Sequence, residues 1–253
     1  MNETTNIIEK EYIISIADRQ IYGKLFYPDD GSKHPAVILS HGYNGCCDDF
    51  EVECRDLAQN GYLAYAYDFC GGSTRSRSSL STTQMTIFTE IEDLLSVFDN
   101  IKSLDIVDSS RIFLLGGSQG GLVTALTAEK ISDQIAAMVL YYPALNIPDD
   151  WRRNFPLEKD IPETVSFWDM TLSRKFFTTI RDFNTFDNIG SYKGNILVIY
   201  GDRDPIIPLG VIDKAVQKYE RIDLKILEGE GHGFSPDGRI TAIDMVKDFL
   251  DKK

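Results

Sequence analysis

An α/β fold with one mostly parallel, doubly wound sheet of about eight strands is what this sequence predicts. Short apolar runs bounded by turn residues alternate with segments of helical period, which is the pattern of successive β–α–β units. Several of these runs are apolar at almost every position, as expected of strands covered on both faces. The length of 253 residues suits a single domain of this class.

The predicted elements follow the chain in order. Residues from Glu11 to Tyr27 read as two strands joined by the polar stretch 17–20, which predicts an antiparallel entry to the sheet. The main central strands are predicted at Ala36–Leu39, Leu63–Tyr67, Ile112–Leu115 and Ile196–Tyr200, with further strands at 135–142 and 224–227. Apolar residues at helical spacing predict helices within 87–101 and 240–250.

Residues 146–192 interrupt this alternation. The segment has no clear strand pattern, contains three prolines and carries both tryptophans of the chain. A connection of that length without structure is unusual in a compact domain. We therefore expect one domain over 1–253 with an inserted helical cap at 146–192.

Composition argues against several function classes. The net charge is −13 and no cluster of Lys and Arg stands out, so binding to nucleic acid or to an anionic membrane is not expected. No apolar run approaches the roughly 18 residues of a membrane span, and the first residues lack the features of a signal peptide.

The four cysteines, Cys46, Cys47, Cys54 and Cys70, lie in one early quarter of the chain. None forms a Cys-x-x-Cys pair, and only three histidines are present to assist a metal site. We therefore expect no disulfide framework, no metal and a reducing cytoplasm as the compartment.

A possible nucleophile follows the strand at Ile112–Leu115. Residues 116–120 read Gly-Gly-Ser-Gln-Gly, a G-x-S-x-G pattern with a plausible helix start behind it. A serine on a sharp strand-to-helix turn is exposed for attack, and the flanking glycines let neighbouring chain approach closely. Ser118 is the predicted nucleophile; the alternative is a glycine-rich turn whose serine has no chemical role.

A serine nucleophile needs a base, and His232 is the predicted one. It lies in a glycine-flanked loop after the last predicted strand, at the edge of the sheet where Ser118 is expected. His34 is expected at the surface of the opposite edge. For the acid that orients the base, Asp204 and Asp202 compete on one loop; Asp204 is preferred because it lies further out, whereas Asp202 is placed to cap the turn.

The loop after the third strand, Ser40–Gly45, is the predicted second wall of an oxyanion hole. The backbone N–H of Gln119 and the backbone N–H of Tyr43 are the expected donors to a developing negative charge. His41 is expected to support the loop structurally, and Gly42 to let it bend close to the nucleophile.

These motifs resemble, in order and spacing, the bacterial cinnamoyl/feruloyl esterase group of the α/β-hydrolases. The residues that carry the resemblance are 41–45, 67–73, 116–120, 201–204 and 231–234, together with 161–172 in the cap. The order Ser118, Asp204, His232 is that of the α/β-hydrolases. The resemblance implies the α/β-hydrolase fold and carboxylic ester hydrolysis.

The expected function is therefore ester hydrolysis through an acyl-enzyme, with a small or aromatic acyl group. Trp151, Phe155, Trp168 and Phe176 are expected to wall an apolar acyl pocket, the alternative being that they form the core of the cap. Hydrolysis of amides or thioesters by the same residues, or a non-catalytic binding role, are the rival functions. No cofactor is expected, the expected partner is a small-molecule ester, and the oligomeric state is open, a homodimer included.

Overall fold

The computed structural model describes residues 6–17 and 19–253. The start of the chain, on which the absence of a signal peptide was argued, and Asp18 of the predicted polar turn lie outside the described residues. Within them, one eight-stranded sheet is covered by helices on both faces, which confirms the predicted α/β fold class.

Twelve strands and seven α-helices make up this part of the chain. The strands are β1 (Ile7–Glu11), β2 (Ile14–Ile16), β3 (Arg19–Ile21), β4 (Gly23–Pro28), β5 (His34–Ser40), β6 (Leu63–Tyr67), β7 (Val107–Gly117), β8 (Ala137–Tyr141), β9 (Thr164–Phe167), β10 (Met170–Ser173), β11 (Asn195–Gly201) and β12 (Ile222–Leu227). The helices are α1 (Glu51–Gln59), α2 (Ile87–Lys102), α3 (Gln119–Lys130), α4 (Ile147–Asn154), α5 (Arg174–Ile180), α6 (Leu209–Lys218) and α7 (Pro236–Leu250).

The large sheet has the strand order β1-β4-β6-β5-β7-β8-β11-β12. The pairs β1/β4 and β4/β6 are antiparallel, and the other five pairs are parallel. The six parallel strands therefore end at one edge of the sheet. The order reverses between β5 and β7, and ligands of such sheets bind where the order reverses, outside the carboxyl ends of the strands.

Alternate residues of each central strand feed different cores. On β5, Val37 and Leu39 pack with residues of α1 and α7, whereas Ala36 and Ile38 face α2 and α3. Both sets are fully buried. Burial on both faces explains why these strands read as continuous apolar runs rather than as an alternation.

Two local expectations were wrong. The antiparallel entry is formed by β1 and β4, because β2 and β3 pair with each other in a separate two-stranded sheet. His34 is buried rather than at the surface, with 4% of its area exposed. It begins β5, and its Nδ1 lies 3.2 Å from the Gly61 carbonyl oxygen, so a neighbouring turn covers it.

The segment 146–192 contains α4 and α5, as a helical cap requires, and also a hairpin that the sequence did not reveal. The turn between β9 and β10 consists of Trp168 and Asp169, with φ values of 42° and 58°. Two-residue hairpin turns need positive φ and favour Asn-Gly or Asp-Gly. Trp-Asp is not a usual pair for this turn, so no turn signal marked the hairpin. The division of the chain into a domain and an inserted cap stays a prediction.

Candidate active site

Ser118 stands on the turn between β7 and α3. Its backbone adopts φ 53° and ψ −117°, a conformation that L-residues rarely take. The turn is tight enough that a Cβ on Gly120 would lie 2.2 Å from the Ser40 carbonyl oxygen. The G-x-S-x-G pattern is therefore a steric requirement here, because the turn passes close to the end of β5.

His232 and Asp204 lie in line with Ser118. The Oγ of Ser118 is 2.9 Å from Nε2 of His232, and Nδ1 of His232 is 2.8 Å from Oδ2 of Asp204. The Asp204 side chain is fully buried, and its Oδ1 accepts hydrogen bonds from the N–H groups of Ile206 and Ile207 at 2.8 and 2.9 Å. These bonds fix the carboxylate so that it selects the tautomer with hydrogen on Nδ1 and leaves Nε2 free to accept the serine proton.

The competing aspartate has a different partner. Oδ1 of Asp202 accepts a hydrogen bond from the N–H of Gly229 at 2.7 Å and so joins the loops after β11 and β12. The structure thus brings Asp204, and not Asp202, to His232. Asp204 lies further along the loop than Asp202, as the sequence analysis assumed. The N–H groups of Ile206 and Ile207 hold its carboxylate in that position.

The two expected oxyanion donors belong to segments next to Ser118: Gln119 follows it directly, and Tyr43 lies on the loop after β5. Among the described residues, neither the N–H of Tyr43 nor that of Gln119 has a hydrogen-bond acceptor. A Cβ on Gly42 would lie 3.1 Å from the Ser118 Cβ, so the loop after β5 comes into direct contact with the turn. Two N–H groups without an acceptor, on segments that adjoin a serine nucleophile, are what an oxyanion hole requires, so Tyr43 and Gln119 stay the predicted donors.

His41 stabilises the loop after β5 through its two ring nitrogens. Its Nδ1 lies 2.7 Å from the Gly42 carbonyl oxygen, and its Nε2 accepts from the N–H of Phe69 at 3.0 Å. The ring must therefore carry its hydrogen on Nδ1. Burial lowers the pKa of His41 and favours this neutral form. Because Gly42 O and the Tyr43 N–H belong to one peptide unit, the bond also orients the Tyr43 N–H.

Two cavities meet at Ser118. The larger, about 310 Å³, lies on the side of His232 and is lined among others by Phe50, Glu53, Tyr142, Phe234 and Arg239. The smaller, about 150 Å³, lies between the strand ends and the cap and is lined among others by Gln119, Asn146, Asp150, Trp151, Phe167 and Ile207. Ser118, Tyr43 and Trp168 border both.

The four predicted pocket residues divide into two pairs. Trp151 and Trp168 lie on the cavity walls. Phe155 and Phe176 lie on neither wall; Phe155 stacks on Trp151 with ring centroids 6.0 Å apart, and Phe176 is 1% exposed inside the aromatic core of the cap. The composition of the segment could not separate the two pairs, because both the core and the pocket of the cap need aromatic residues.

Sequence reasoning missed most of the wall residues, among them Phe167, Asp150 and Tyr142. Phe167 and Asp150 face the smaller cavity, and the ring of Tyr142 lies 4.6 Å from the His232 ring in the larger one. Tyr142 ends a predicted strand at the edge where the site was expected, so its position alone could have identified it. Nothing in the sequence distinguished Asp150 from the adjacent Asp149.

An ion pair between buried Glu53 and partly exposed Arg239 lies on the wall of the larger cavity. The Glu53 carboxylate, 3% exposed, accepts from Nε of Arg239 at 2.6 Å and also from Nη2, which donates to the Asp49 carbonyl oxygen as well. Buried charges of this kind require a partner. The pair therefore fixes the start of α7 against α1.

Replacing Arg239 with methionine should lower the free energy of unfolding by about 3 kcal/mol at pH 7, because Glu53 would remain buried without its partner. Chemical denaturation would measure the loss. The double change Glu53→Met with Arg239→Met should recover most of it. As a control, Lys193→Met removes an exposed pair with Glu220 and should leave stability unchanged. Equal effects of Arg239→Met and Lys193→Met would contradict a structural role for the buried pair.

Residues 6–17 and 19–253 contain no group of three or more His, Cys, Asp or Glu side chains that could hold a metal ion. No helix in the same part of the chain is both long and apolar enough to cross a membrane.

Comparison with known proteins places this site in a family context. The profile of the prolyl oligopeptidase family matches residues 49–253. Mouse monoglyceride lipase is 27% identical over 127 residues, which are 50% of this chain and 41% of that enzyme. The chain thus matches only about two fifths of the length of this curated relative.

Solved structures resemble the chain over almost its full length. Est1E from Butyrivibrio proteoclasticus with ferulic acid bound has a TM-score of 0.86 at 24% identity, covering 95% of this chain and 98% of its own. The thioesterase domain from the curacin biosynthetic pathway has a TM-score of 0.69 at 16% identity, covering 94% and 99%. At these identities the likeness shows the fold, and with the family match it confirms the predicted α/β-hydrolase fold.

Proposed function

The chain belongs to the prolyl oligopeptidase family of the α/β-hydrolase fold, and from this premise we propose that it is a serine hydrolase that cleaves carboxylic esters. The observation that carries the proposal is the continuous hydrogen-bonded line from Ser118 through His232 to Asp204. The similarity to an esterase structure and to monoglyceride lipase supports esters over other acyl compounds.

The proposed reaction has two steps. His232 accepts the Ser118 proton as Oγ attacks the ester carbonyl, and the resulting oxyanion accepts hydrogen bonds from the N–H groups of Tyr43 and Gln119. His232 then gives its proton to the leaving alcohol. Water, deprotonated by His232, attacks the acyl-enzyme and releases the acid and the free serine.

The roles of the two cavities follow from the position of the base. His232 must protonate the leaving alcohol, so the alcohol occupies the larger cavity, which His232 lines. The acyl group then occupies the smaller cavity, which Gln119 and the cap line and His232 does not. We therefore assign the cap to recognition of the acyl group.

The smaller cavity supports an aromatic acyl group with a polar substituent. Trp151 and Phe167 supply apolar walls, which suit a flat ring. Asn146 and Asp150 form a polar patch on its wall, where the Asn146 amide donates to the Asp150 carboxylate at 2.6 Å. Burial raises the pKa of Asp150. A hydroxyl on the ring could donate a hydrogen bond to this patch, as a hydroxycinnamoyl group would.

Replacing Trp151 with leucine should lower kcat/KM for methyl ferulate about tenfold while changing that for p-nitrophenyl acetate much less. An acetyl group is too small to use the ring, whereas an aromatic acyl group loses a stacking contact and buried area. Phe155→Leu is the matched control, since Phe155 stacks on Trp151 without lining the cavity. If Trp151→Leu and Phe155→Leu give a similar ratio of kcat/KM for methyl ferulate to kcat/KM for p-nitrophenyl acetate, the assignment of Trp151 to the wall of the acyl site is wrong.

A substrate panel tests the function itself. Wild-type protein is assayed with p-nitrophenyl acetate, methyl ferulate, an aminoacyl p-nitroanilide and an acyl-CoA. We expect hydrolysis of both esters, with a higher kcat for methyl ferulate than for p-nitrophenyl acetate. The family match favours peptide amides as a second candidate. Activity on the anilide alone would establish that alternative, and folded protein inactive on all four would point to a binding role.

Cellular setting and partners remain proposals. The four cysteines are free and buried, which supports a reducing compartment such as the cytoplasm. A small-molecule ester is the proposed partner, and neither nucleic acid nor membrane is proposed. The oligomeric state, a homodimer included, is open to measurement by light scattering.

A further inference from the structure

A buried carboxyl group lies directly behind the candidate oxyanion hole. Glu90 on α2 is 1% exposed, and both of its carboxyl oxygens lie 2.9 Å from Nε2 of Gln119. Gln119 is itself 2% exposed and is the residue whose backbone N–H is a proposed oxyanion donor. The side chain of one proposed donor residue is therefore held by Glu90 alone among the described side chains.

The first turn of α3 needs such support because its own N-cap is otherwise engaged. A serine at an N-cap normally accepts a hydrogen bond from an N–H in the first turn. Ser118 makes no such bond, since its Oγ contacts His232. The contact between Gln119 and Glu90 thus fixes the first turn from the side and leaves the serine free to react.

Glu90 also lies close to the loop that carries the other donor. A Cβ on Gly72 would lie 3.2 Å from Oε1 of Glu90 and 3.3 Å from Cε1 of His41, so all three groups surround one small space. His41 in turn orients the peptide unit that contains the Tyr43 N–H. The Glu90 carboxyl group therefore contacts Gln119 directly and lies near His41, which orients the peptide unit of the Tyr43 N–H.

We propose that Glu90 is a positioning residue for the oxyanion hole, which holds the backbone N–H of Gln119 in place by binding the Gln119 side chain. This inference rests on the proposed ester hydrolysis. Glu90 does not touch substrate; it acts through Gln119. We expect Glu90 to affect stabilisation of the transition state and not binding of the substrate. Only in the transition state does the carbonyl oxygen carry the charge that the Gln119 N–H stabilises.

The charge of Glu90 fits this task. Burial raises the pKa of the Glu90 carboxyl well above its usual range, and nearby Asp93 raises it further while the Gln119 amide opposes the shift. The raised pKa favours the protonated, neutral form of the Glu90 carboxyl. A neutral acid binds the amide without placing a negative charge beside the developing oxyanion, so a glutamine should replace it without loss.

Two substitutions and one matched control test the proposal. Glu90→Met keeps the volume but removes the acceptor, and we expect kcat for p-nitrophenyl acetate to fall about 10- to 100-fold with KM nearly unchanged, because a displaced donor loses much of its effect. Glu90→Gln should stay within about threefold of wild type. The control Asp93→Asn alters another buried carboxyl on α2, which binds the Cys70 N–H and not Gln119, and should retain kcat.

A boronic acid that forms a tetrahedral adduct with Ser118 gives a second readout. Glu90→Met should weaken the boronic acid about as much as it lowers kcat, while affinity for acetate, the product, stays constant. Loss of stability alone would not produce that difference. Gln119→Met should give a similar loss, and adding Glu90→Met to it should cost little more, since the two side chains act as one unit.

The outcomes separate this proposal from the proposed function. Unchanged kcat in Glu90→Met, or additive losses in the double variant, would overturn the role of Glu90 while wild-type ester activity stands. If Glu90→Met does not fold, Glu90→Gln and Gln119→Met decide: a large kcat loss in the first, or none in the second, overturns the proposal. Absence of ester hydrolysis in the wild type would instead refute the proposed function.

Discussion

Ester hydrolysis should fall about 10³-fold or more when Ser118 is replaced with alanine, for p-nitrophenyl acetate and methyl ferulate alike. The substitution removes the oxygen that lies 2.9 Å from Nε2 of His232, so no acyl-enzyme can form on residue 118. The residual rate would come from the oxyanion donors and substrate binding alone. Steady-state kinetics at matched protein concentration measure the loss, and a p-nitrophenol burst should disappear with it.

Ser96→Ala is the control for this change. Ser96 lies half-buried on α2, and its hydroxyl donates to the Glu92 carbonyl oxygen of its own helix. That variant should hydrolyse both esters at the wild-type rate. Substantial activity in Ser118→Ala, with the protein folded and free of wild-type contamination, would show that another group is the nucleophile.

Replacing Asp204 with asparagine should lower kcat by about 10³- to 10⁴-fold. The amide can present its NH₂ to Nδ1 of His232, which would shift the ring hydrogen to Nε2 and block acceptance of the serine proton. The amide also cannot stabilise the positive charge that the ring gains in the transition state. The loss should appear in kcat rather than in KM, because the substrate does not contact Asp204.

Asp202→Asn is the matched control on the same loop. Asp202 accepts a hydrogen bond from the Gly229 N–H, whereas the carboxylate that binds His232 in the described part of the chain is that of Asp204, and the amide oxygen of asparagine can still accept the Gly229 bond. We expect activity within a few fold of wild type. A larger loss from Asp202→Asn than from Asp204→Asn would assign the acid to Asp202 and contradict the geometry.

The three loops that carry Ser118, Asp204 and His232 are far apart in sequence and converge because their strands are parallel. The strands β7 and β11 end at the same edge as β12, and β8 lies between the first two. This arrangement also explains why Tyr142, which follows β8, lies against His232. A site built in this way depends on the sheet for its position and on the loops for its chemistry.

Local sequence patterns were enough to predict the parallel strands of the sheet, their order along the chain, and Asp204 and His232 as the partners of Ser118. Continuous apolar runs identify doubly buried strands, and parallel strands bring their following loops together. That reasoning needs only local patterns and one topological rule. It therefore also selected Asp204 over Asp202, because the distance a residue lies beyond its strand is readable from the chain.

Three features could be established only from the packing of the folded chain: which aromatic side chains of the cap line a cavity, the hairpin turn at Trp168, and the contact of Glu90 with Gln119. Each of these depends on packing between segments whose local patterns are alike. A buried aromatic residue and a pocket aromatic residue have the same composition, and a glutamate on a helix gives no sign of its partner 29 residues away. Contacts between segments that are distant in sequence depend on how the whole chain packs, so no local sequence pattern predicts them.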